Sequence, residues 1–411
     1  MNGQLPSLTP VDEALAKVLA AIKPVGTQSV PVEHSFGRVL AADVLANITQ
    51  PPSTVSAMDG YAVRAADVAQ VPAALKRIGE APAGGLFKGT VEPGTTVRIF
   101  TGGPLPDGAD AVVMQENTSV DGDMITINVP AEAGRNVRPQ GLDFLTGTVM
   151  LPAGTRMTAR DVGLAAASNV AEVTVRRRPR VAILATGNEL VRPGQASGPV
   201  QIVNSNTPAL SAIAIGGGAE AIDLGIATDD AETLKTLAAK AADADMFVTI
   251  GGASVGDHDL VQKVLGEIGL VIDFWRVAMR PGKPVMFGKF GDVPMLGLPG
   301  NPVSAMVCAL VFLRPAVAAL QGLTEITQPT IQVRLGRDLP ANGARQAYLR
   351  ARLERDDRSR FVATPVDEQD SSLVSVLSDA DCFVLRAVKA RPALQGDLAE
   401  ALPFTLSYDG Y

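Results

Sequence analysis

Cysteine and histidine are scarce. The 411 residues include two of each, Cys308 and Cys382, His34 and His258. Two distant thiols exclude a disulfide framework and fit a reducing compartment. The lack of any Cys/His cluster argues against a structural zinc centre, and no Ser-His-Asp arrangement can be built. Excess positive charge is also missing. A net charge of −7 points to neither a nucleic-acid surface nor a polybasic membrane patch. The opening Met1-Asn2-Gly3-Gln4 has no basic segment followed by an apolar run, so no signal peptide is expected. The most apolar stretch, residues 302–320, is interrupted by Arg314-Pro315 and is expected to be too short and too broken to cross a bilayer. These absences imply a cytoplasmic protein.

The composition, 46% hydrophobic and 19% charged, is that of a globular chain. At ~150 residues per domain the length implies two to four domains. Thr9-Pro10-Val11-Asp12-Glu13 reads as a helix start, with Thr9 as cap and Leu15, Val18, Leu19 and Ile22 at helical spacing until Pro24. Residues 29–175 carry short β-type runs (96–100, 111–114, 124–129) between Gly, Pro and Asp turns, and a helix over 159–168 closes the region. Arg176-Arg177-Arg178-Pro179-Arg180 reads as a solvated hinge.

Strands (181–185, 219–224, 246–250, 293–298) then alternate with helices (207–216, 230–242, 260–268, 302–320), the pattern of a parallel, doubly wound sheet. The tail returns to short β runs at 331–335, 347–353, 361–364 and 382–387, a small separate β domain.

Ligands of open parallel sheets bind beyond the carboxyl ends of the strands. Three such ends carry polar or glycine-rich turns: Thr186-Gly187-Asn188-Glu189, the segment from Gly251 and Gly252 through Ser254 to Asp257-His258-Asp259, and Pro299-Gly300-Asn301-Pro302. Glycines admit close backbone approach and helix starts attract anions, so the three together read as a phosphate or oxyanion site. Arg280-Pro281-Gly282-Lys283-Pro284 brings stiffly held positive charge. In the β region, Ser56-Ala57-Met58-Asp59-Gly60-Tyr61-Ala62 and Thr101-Gly102-Gly103-Pro104 set a carboxylate and a hydroxyl in tight turns, although a turn with an Asp cap is the commoner case. Cys308, in an apolar helix, reads as core. If a metal binds, carboxylate oxygens from Asp59, Glu189 and Asp259 point to a hard ion such as Mg²⁺.

These segments, with Gly141-Leu142-Asp143, resemble the molybdopterin molybdenumtransferase family, which includes the C-terminal domain of gephyrin. The match runs in order from about residue 37 to 320. The resemblance implies an elongated N-terminal α+β domain (1–50 and 140–178), an inserted mainly β domain (51–139), a central α/β molybdopterin-binding domain (179–325) and a C-terminal β-barrel-like domain (326–411). It implies a homodimer with its site at the subunit interface, adenylylated molybdopterin and molybdate as substrates, molybdenum cofactor and AMP as products, and an assisting Mg²⁺. Carried over by position, Asp59, Thr101, Glu189 and Lys283 are the catalytic residues. Arg138, Asp143, Asn204, Gly251, Gly252, Ser254, Asp259, Arg280, Pro299, Gly300, Asn301 and Pro302 bind substrate, and Asp59, Glu189 and Asp259 hold the metal.

The chain departs from the family pattern at four positions. Asn188 and Asn204 stand where Asp is usual, Arg280 where Lys is usual, and Leu142 where Glu is usual. Loss of two carboxylates near the site predicts weaker Mg²⁺ binding, with the Asn204 side chain facing the cleft. Two other readings compete. One is a molybdopterin adenylyltransferase, the preceding enzyme of the pathway and a possible partner, which resembles the α/β domain alone. The other is a non-catalytic cofactor-binding scaffold.

Overall fold

The computed structural model describes residues 8–252, 260–323, 326 and 329–404. Ser254, Asp257, His258 and Asp259 lie outside the described residues. The first helix, α1, is Val11–Ala20. Thr9 does not cap it. Its N–H donates to the Arg276 carbonyl at 3.1 Å and its own carbonyl accepts from Ala278 at 2.7 Å. Thr9 is therefore spent on a β-bridge to Val277, and Pro10 takes the cap position without a side-chain bond. Val11, Ala14 and Val18 are buried in the core of the α/β module whose strands begin at Arg180.

Strand Thr27–Pro31 pairs antiparallel with Glu172–Arg176, which returns the chain to where it left this layer. Helix α2 (Ala159–Ala167) packs there. Its start is fixed by a capping box in which the Thr158 hydroxyl oxygen accepts from the Asp161 N–H and the Asp161 carboxylate accepts from the Thr158 N–H. Between them sits a six-stranded sheet in the order Ala111–Met114, Gly60–Val63, Thr95–Ile99, Ala73–Ala81, Met124–Ile127, Thr118–Asp121. Its alternating residues feed two small cores, one around Val63, Val113 and Ile125 and one around Ala62, Val97 and Ile99.

The basic segment 176–180 is anchored through Arg176 and Arg177, while Arg178 and Arg180 are exposed as expected of a solvated hinge. The Arg177 guanidinium grips Asp245 through two nitrogens, at 2.6 and 2.5 Å. Arg176 donates to the Val25 carbonyl at 3.0 Å, and Arg38 donates to the Arg176 carbonyl at 2.8 Å. A planar guanidinium with five donors can close several backbone carbonyls at once, which is why a run of arginines here joins modules.

The α/β sheet runs Glu220–Ala227, Arg180–Thr186, Met246–Ile250, Val293–Leu298, Met286–Phe290, Leu270–Trp275. The first four are parallel, and the last two add antiparallel, so the sheet is mixed. The three inner parallel strands are buried on both faces, and the edge strand Glu220–Ala227 only in part. On one face they meet α1, α3 (Asn206–Gly216), and the long helix built from α6 (Pro302–Cys308), a π-turn (Ala309–Leu313) and α7 (Arg314–Leu320). On the other they meet α4 (Ala231–Ala239) and α5 (Leu260–Glu267).

Residues 302–320 are continuous through Arg314-Pro315, and the expected break does not occur. Proline lacks an N–H and its ring crowds the carbonyl four residues back; the wider π-turn just before it gives the ring room. This helix is long and apolar enough to cross a membrane by length and composition, yet 72% of it is buried inside the protein. It is the core helix of the module.

The C-terminal strands Gln346–Arg355, Phe361–Pro365, Ile331–Leu335, Leu398–Pro403 and Cys382–Arg386 close on themselves through pairing of the first with the last, a five-stranded barrel. A short helix, α8 (Val374–Ser378), follows the loop that reaches toward the α/β module. The barrel is tied to that module by parallel pairing of Met279–Arg280 with Gln346 and Ala347.

Candidate active site

A cleft of about 780 Å³ opens beyond the carboxyl ends of the parallel strands. Glu189, Asn204, Gly251, Gly252, Pro299, Gly300, Asn301 and Pro302 all line it, so eight of the residues singled out from sequence come together. The glycines are there for steric reasons. Gly251 has φ +88°, and a Cβ on it would lie 2.8 Å from the Thr186 carbonyl oxygen. Gly252 has φ +63°, and its Cβ would lie 2.2 Å from Val261 Cγ2. Only glycine lets this turn lie flat against the neighbouring strand and α5.

Glu189 is exposed at the rim, its carboxylate folded back over Gly187; a Cβ at Gly187 would be 2.6 Å from both carboxylate oxygens. The loops are cross-tied. Gly251 N–H donates to the Leu298 carbonyl at 3.0 Å, Asn206 Nδ2 to the Gly300 carbonyl at 2.7 Å, and Asp229 N–H to Asn188 Oδ1 at 2.9 Å.

Asn204 lines the cleft as expected, but it is 7% exposed and its amide is occupied. Oδ1 accepts from Thr207 N–H at 3.2 Å and Nδ2 donates to Thr207 Oγ1 at 2.9 Å. It closes the first turn of α3 rather than presenting a free side chain. The start of α6 is similarly committed. Val303 N–H donates to the Ser371 carbonyl at 3.0 Å and Asn301 Nδ2 donates to Ser371 Oγ at 2.9 Å.

Several lining residues had no place in the sequence reading. Thr228 and Asp229 follow strand Glu220–Ala227 at the same sheet edge, so the strand-end rule finds them once applied to that strand. Ser372 comes from the barrel and carries no local signal. Its hydroxyl and N–H both donate to Asp370, at 2.6 and 2.8 Å, which holds the Asp370 carboxyl below its usual range. Arg276, which does not line the cleft, follows the strand Leu270–Trp275 and is 3% exposed, with its Nε unpaired among the described residues and its guanidinium over the Trp275 ring at 4.5 Å. Its φ of 75° is a left-handed conformation that costs a non-glycine residue energy.

The remaining predicted residues that are described do not line the cleft. Arg280 is exposed and Lys283 half-buried on the segment that joins the barrel strand to the sheet; its neighbour Pro284 lines the cleft. Asp59, Thr101, Arg138 and Asp143 do not line the cleft. They belong to a second locus on the N-terminal modules.

There, Asp59 Oδ1 accepts from both the Thr101 N–H at 2.7 Å and the Thr101 hydroxyl at 2.8 Å. The Thr101 N–H, then its hydroxyl and more weakly the charge on Arg98, hold the Asp59 carboxyl below its usual range. Its other oxygen makes no bond among the described residues. Arg138 sits on a strand paired with Val55–Ser56, and Asp143 N–H donates to the Gln50 carbonyl at 3.0 Å. No group of three or more His, Cys, Asp or Glu side chains gathers anywhere among the described residues. Among the described residues Asp59 and Glu189 join no third such side chain, and Asp259, the third expected ligand, lies outside them.

Known proteins resemble this architecture along its whole length. Residues 9–168 match the MoeA N-terminal region (domain I and II), residues 182–319 a probable molybdopterin binding domain, and residues 332–404 the MoeA C-terminal region (domain IV). A molybdopterin molybdenumtransferase of Nostoc sp. is 40% identical over 79% of this chain and 76% of its own. One from Haemophilus influenzae is 33% identical over 96% of this chain and 98% of its own. A crystal structure of a molybdopterin biosynthesis MoeA protein from Pyrococcus horikosii superposes with a TM-score of 0.84 at 32% identity, covering 97% of this chain and 100% of that one. An adenylyltransferase resembling only the α/β module leaves the two flanking matches unexplained. From fold and relatives alike, the chain belongs to the molybdopterin molybdenumtransferase family.

Proposed function

We propose that this protein transfers molybdenum from molybdate to adenylylated molybdopterin, releasing AMP, at a composite site. The cleft of one subunit supplies the binding surface and the Asp59–Thr101 locus of a second copy completes it. The observation that carries this reading is the division of the site residues. Glu189, Asp229 and the glycine turns share one cleft, whereas Asp59, with an oxygen free of bonds among the described residues, lies on another module. Exposed apolar side chains favour a second copy: Leu45 and Val149 are partners across an antiparallel ribbon, and Leu142 and Leu145 stand on the adjoining turn.

The cleft residues suit a divalent ion. Glu189 and Asp229 are hard oxygen donors lining the same cavity, and Mg²⁺ keeps most of its water while taking one or two carboxylates. Such an ion would polarise the phosphoanhydride of the adenylate. Among this chain's own residues, the Gly251-Gly252 turn lets the backbone approach the pterin–adenylate. Lys283 and Arg280, beside the cleft, neutralise phosphate and molybdate oxygens. Asp59, kept ionised by Thr101, accepts a proton or orients water at the molybdate. The substrate's dithiolene sulfurs take the metal, so Cys308 and Cys382, both buried, stay out of the chemistry. Two unpaired thiols suit the cytoplasm, where a molybdopterin adenylyltransferase would hand over its product.

The test begins with anaerobic turnover of adenylylated molybdopterin and molybdate, with and without Mg²⁺, read as AMP release. ATP consumption in its place would favour the adenylyltransferase. Co-expression of Asp59→Asn and Glu189→Gln subunits then probes the shared site. Each variant alone is inactive, and random pairing of the two restores about a quarter of wild-type activity, because half the dimers carry one intact site of two. No recovery means that Asp59 and Glu189 act within one chain or not at all.

A further inference from the structure

Arg98 has no part in the proposed chemistry, yet it touches every segment that holds Asp59. We propose that Arg98 is a positioning residue that locks the Asp59–Thr101 pair, an inference that rests on the reading of Asp59 given above. Arg98 and Tyr61 are partners across the antiparallel pair of strands, and the turn bearing Thr101 begins directly after the Arg98 strand. The guanidinium lies between two rings, 5.2 Å from the Tyr61 centroid and 4.8 Å from that of Phe100. One nitrogen donates to the Gly60 carbonyl at 3.2 Å, and the other to Gln115 Oε1 at 2.5 Å.

Gln115 in turn donates its backbone N–H to the Asp59 carbonyl at 3.1 Å. The residues on both sides of the pair, Gly60 and Phe100, are thus held by one side chain, and Asp59 itself is reached through Gln115. Arg98 is half-buried and has no carboxylate within ion-pair distance among the described residues. A guanidinium that only balanced charge would face an acid. This one faces a carbonyl, an amide oxygen and two ring faces, contacts that reward its flat, forked shape. Lysine, a point charge on a flexible stem, can satisfy one of them at a time.

Arg98→Lys and Arg98→Gln separate shape from charge. Misplacement of a reacting group by about 1 Å costs up to ~100-fold in rate. Both variants are therefore expected to lose about 10- to 100-fold in kcat with KM for the adenylylated substrate within about twofold. The acid limb of the pH profile should move up in Arg98→Gln and less in Arg98→Lys, which keeps the charge near Asp59. Unchanged kcat in Arg98→Gln overturns the proposal, and so does full rescue by lysine. A loss confined to KM does the same, since it would make Arg98 a substrate contact.

Melting temperature is read for both variants, and Tyr61→Leu, which removes one ring but no charge or hydrogen bond, provides a second route if Arg98→Gln folds poorly. Tyr61→Leu should lower kcat in the same sense, and an unaltered kcat in a folded Tyr61→Leu also counts against the lock. Asp59→Asn is run in parallel. Wild-type turnover there defeats the reading of Asp59 itself, whereas an inactive Asp59→Asn beside a fully active Arg98→Gln defeats only the role of Arg98.

Discussion

Replacing Asn204 tests whether its first duty is to the helix it precedes. Asn204→Ala removes the acceptor for Thr207 N–H and the donor to Thr207 Oγ1, both in a place where Asn204 is 7% and Thr207 4% exposed. Loss of a helix cap costs about 1 kcal/mol, and up to ~2 in well-packed sites. With a urea dependence of ~2 kcal/mol per molar, the midpoint should fall by roughly 0.5–1 M. Trp275 is the single tryptophan, at the end of a strand in the same module, so its fluorescence reports the transition that matters.

Asn204→Asp keeps the acceptor, the Thr207 hydroxyl can turn to donate, and a carboxylate at a helix N-terminus adds about 0.3–1 kcal/mol. It should unfold at or above the wild-type midpoint. An unshifted midpoint in the alanine variant, or equal losses in both, would refute the capping role. Because Asn204 also lines the cleft, the aspartate should lower the Mg²⁺ concentration that gives half-maximal AMP release. An unchanged or raised value would show that the ion is not near this residue, or that repulsion of the oxyanions dominates.

Gly252→Ala should destabilise by about 1–3 kcal/mol and abolish turnover, since its Cβ overlaps Val261. Adding Val261→Ala should recover part of the loss but leave the cost of φ +63°; a single variant with wild-type melting and activity would contradict this. Thr101 holds the Asp59 carboxyl below its usual range, so Asp59 stays ionised further into acid and the acid limb of turnover should lie below the ordinary aspartate range. Thr101→Val removes the hydroxyl donor and keeps the N–H, so the limb should rise toward the ordinary value. A limb that does not move would separate Asp59 from the rate. Leu45→Glu together with Val149→Glu should give a monomer by light scattering, folded but inactive, and an active monomer would end the composite-site reading.

Much of the α/β module was legible because strands buried on both faces read as unbroken apolar runs, and 246–250 and 293–298 match to the residue. The antiparallel pair Leu270–Trp275 and Met286–Phe290 escaped notice. In the first of these strands Leu270, Ile272 and Phe274 alternate with exposed Val271 and Asp273, a short signal beside the proline- and glycine-rich Arg280–Lys283 turn. Leu398–Pro403 has a helix-former composition and becomes a strand only because the barrel needs it for closure. Within the site, Glu189 and the glycine turns announced themselves by following strands. Ser372 did not, because it reaches the cleft from another domain. Thr9 reads as a cap by type, and its pairing with Val277 reassigns it; Asn204 lines the cleft as expected, with its amide also committed to Thr207.

The seating of α1 against α7 has a consequence for synthesis. At about 5–20 residues per second on the ribosome, α1 emerges first and waits some 15–60 seconds for the helix that buries it. During that interval Val11, Ala14 and Val18 have no native cover, while Thr27–Pro31 and Glu172–Arg176 can already pair and complete the layers between them. Ser372 arrives later still, so the nascent chain carries an unfinished cleft until then. A chaperone that recognises short amphipathic helices would find a target in α1 and would be released by the arrival of residues 314–320.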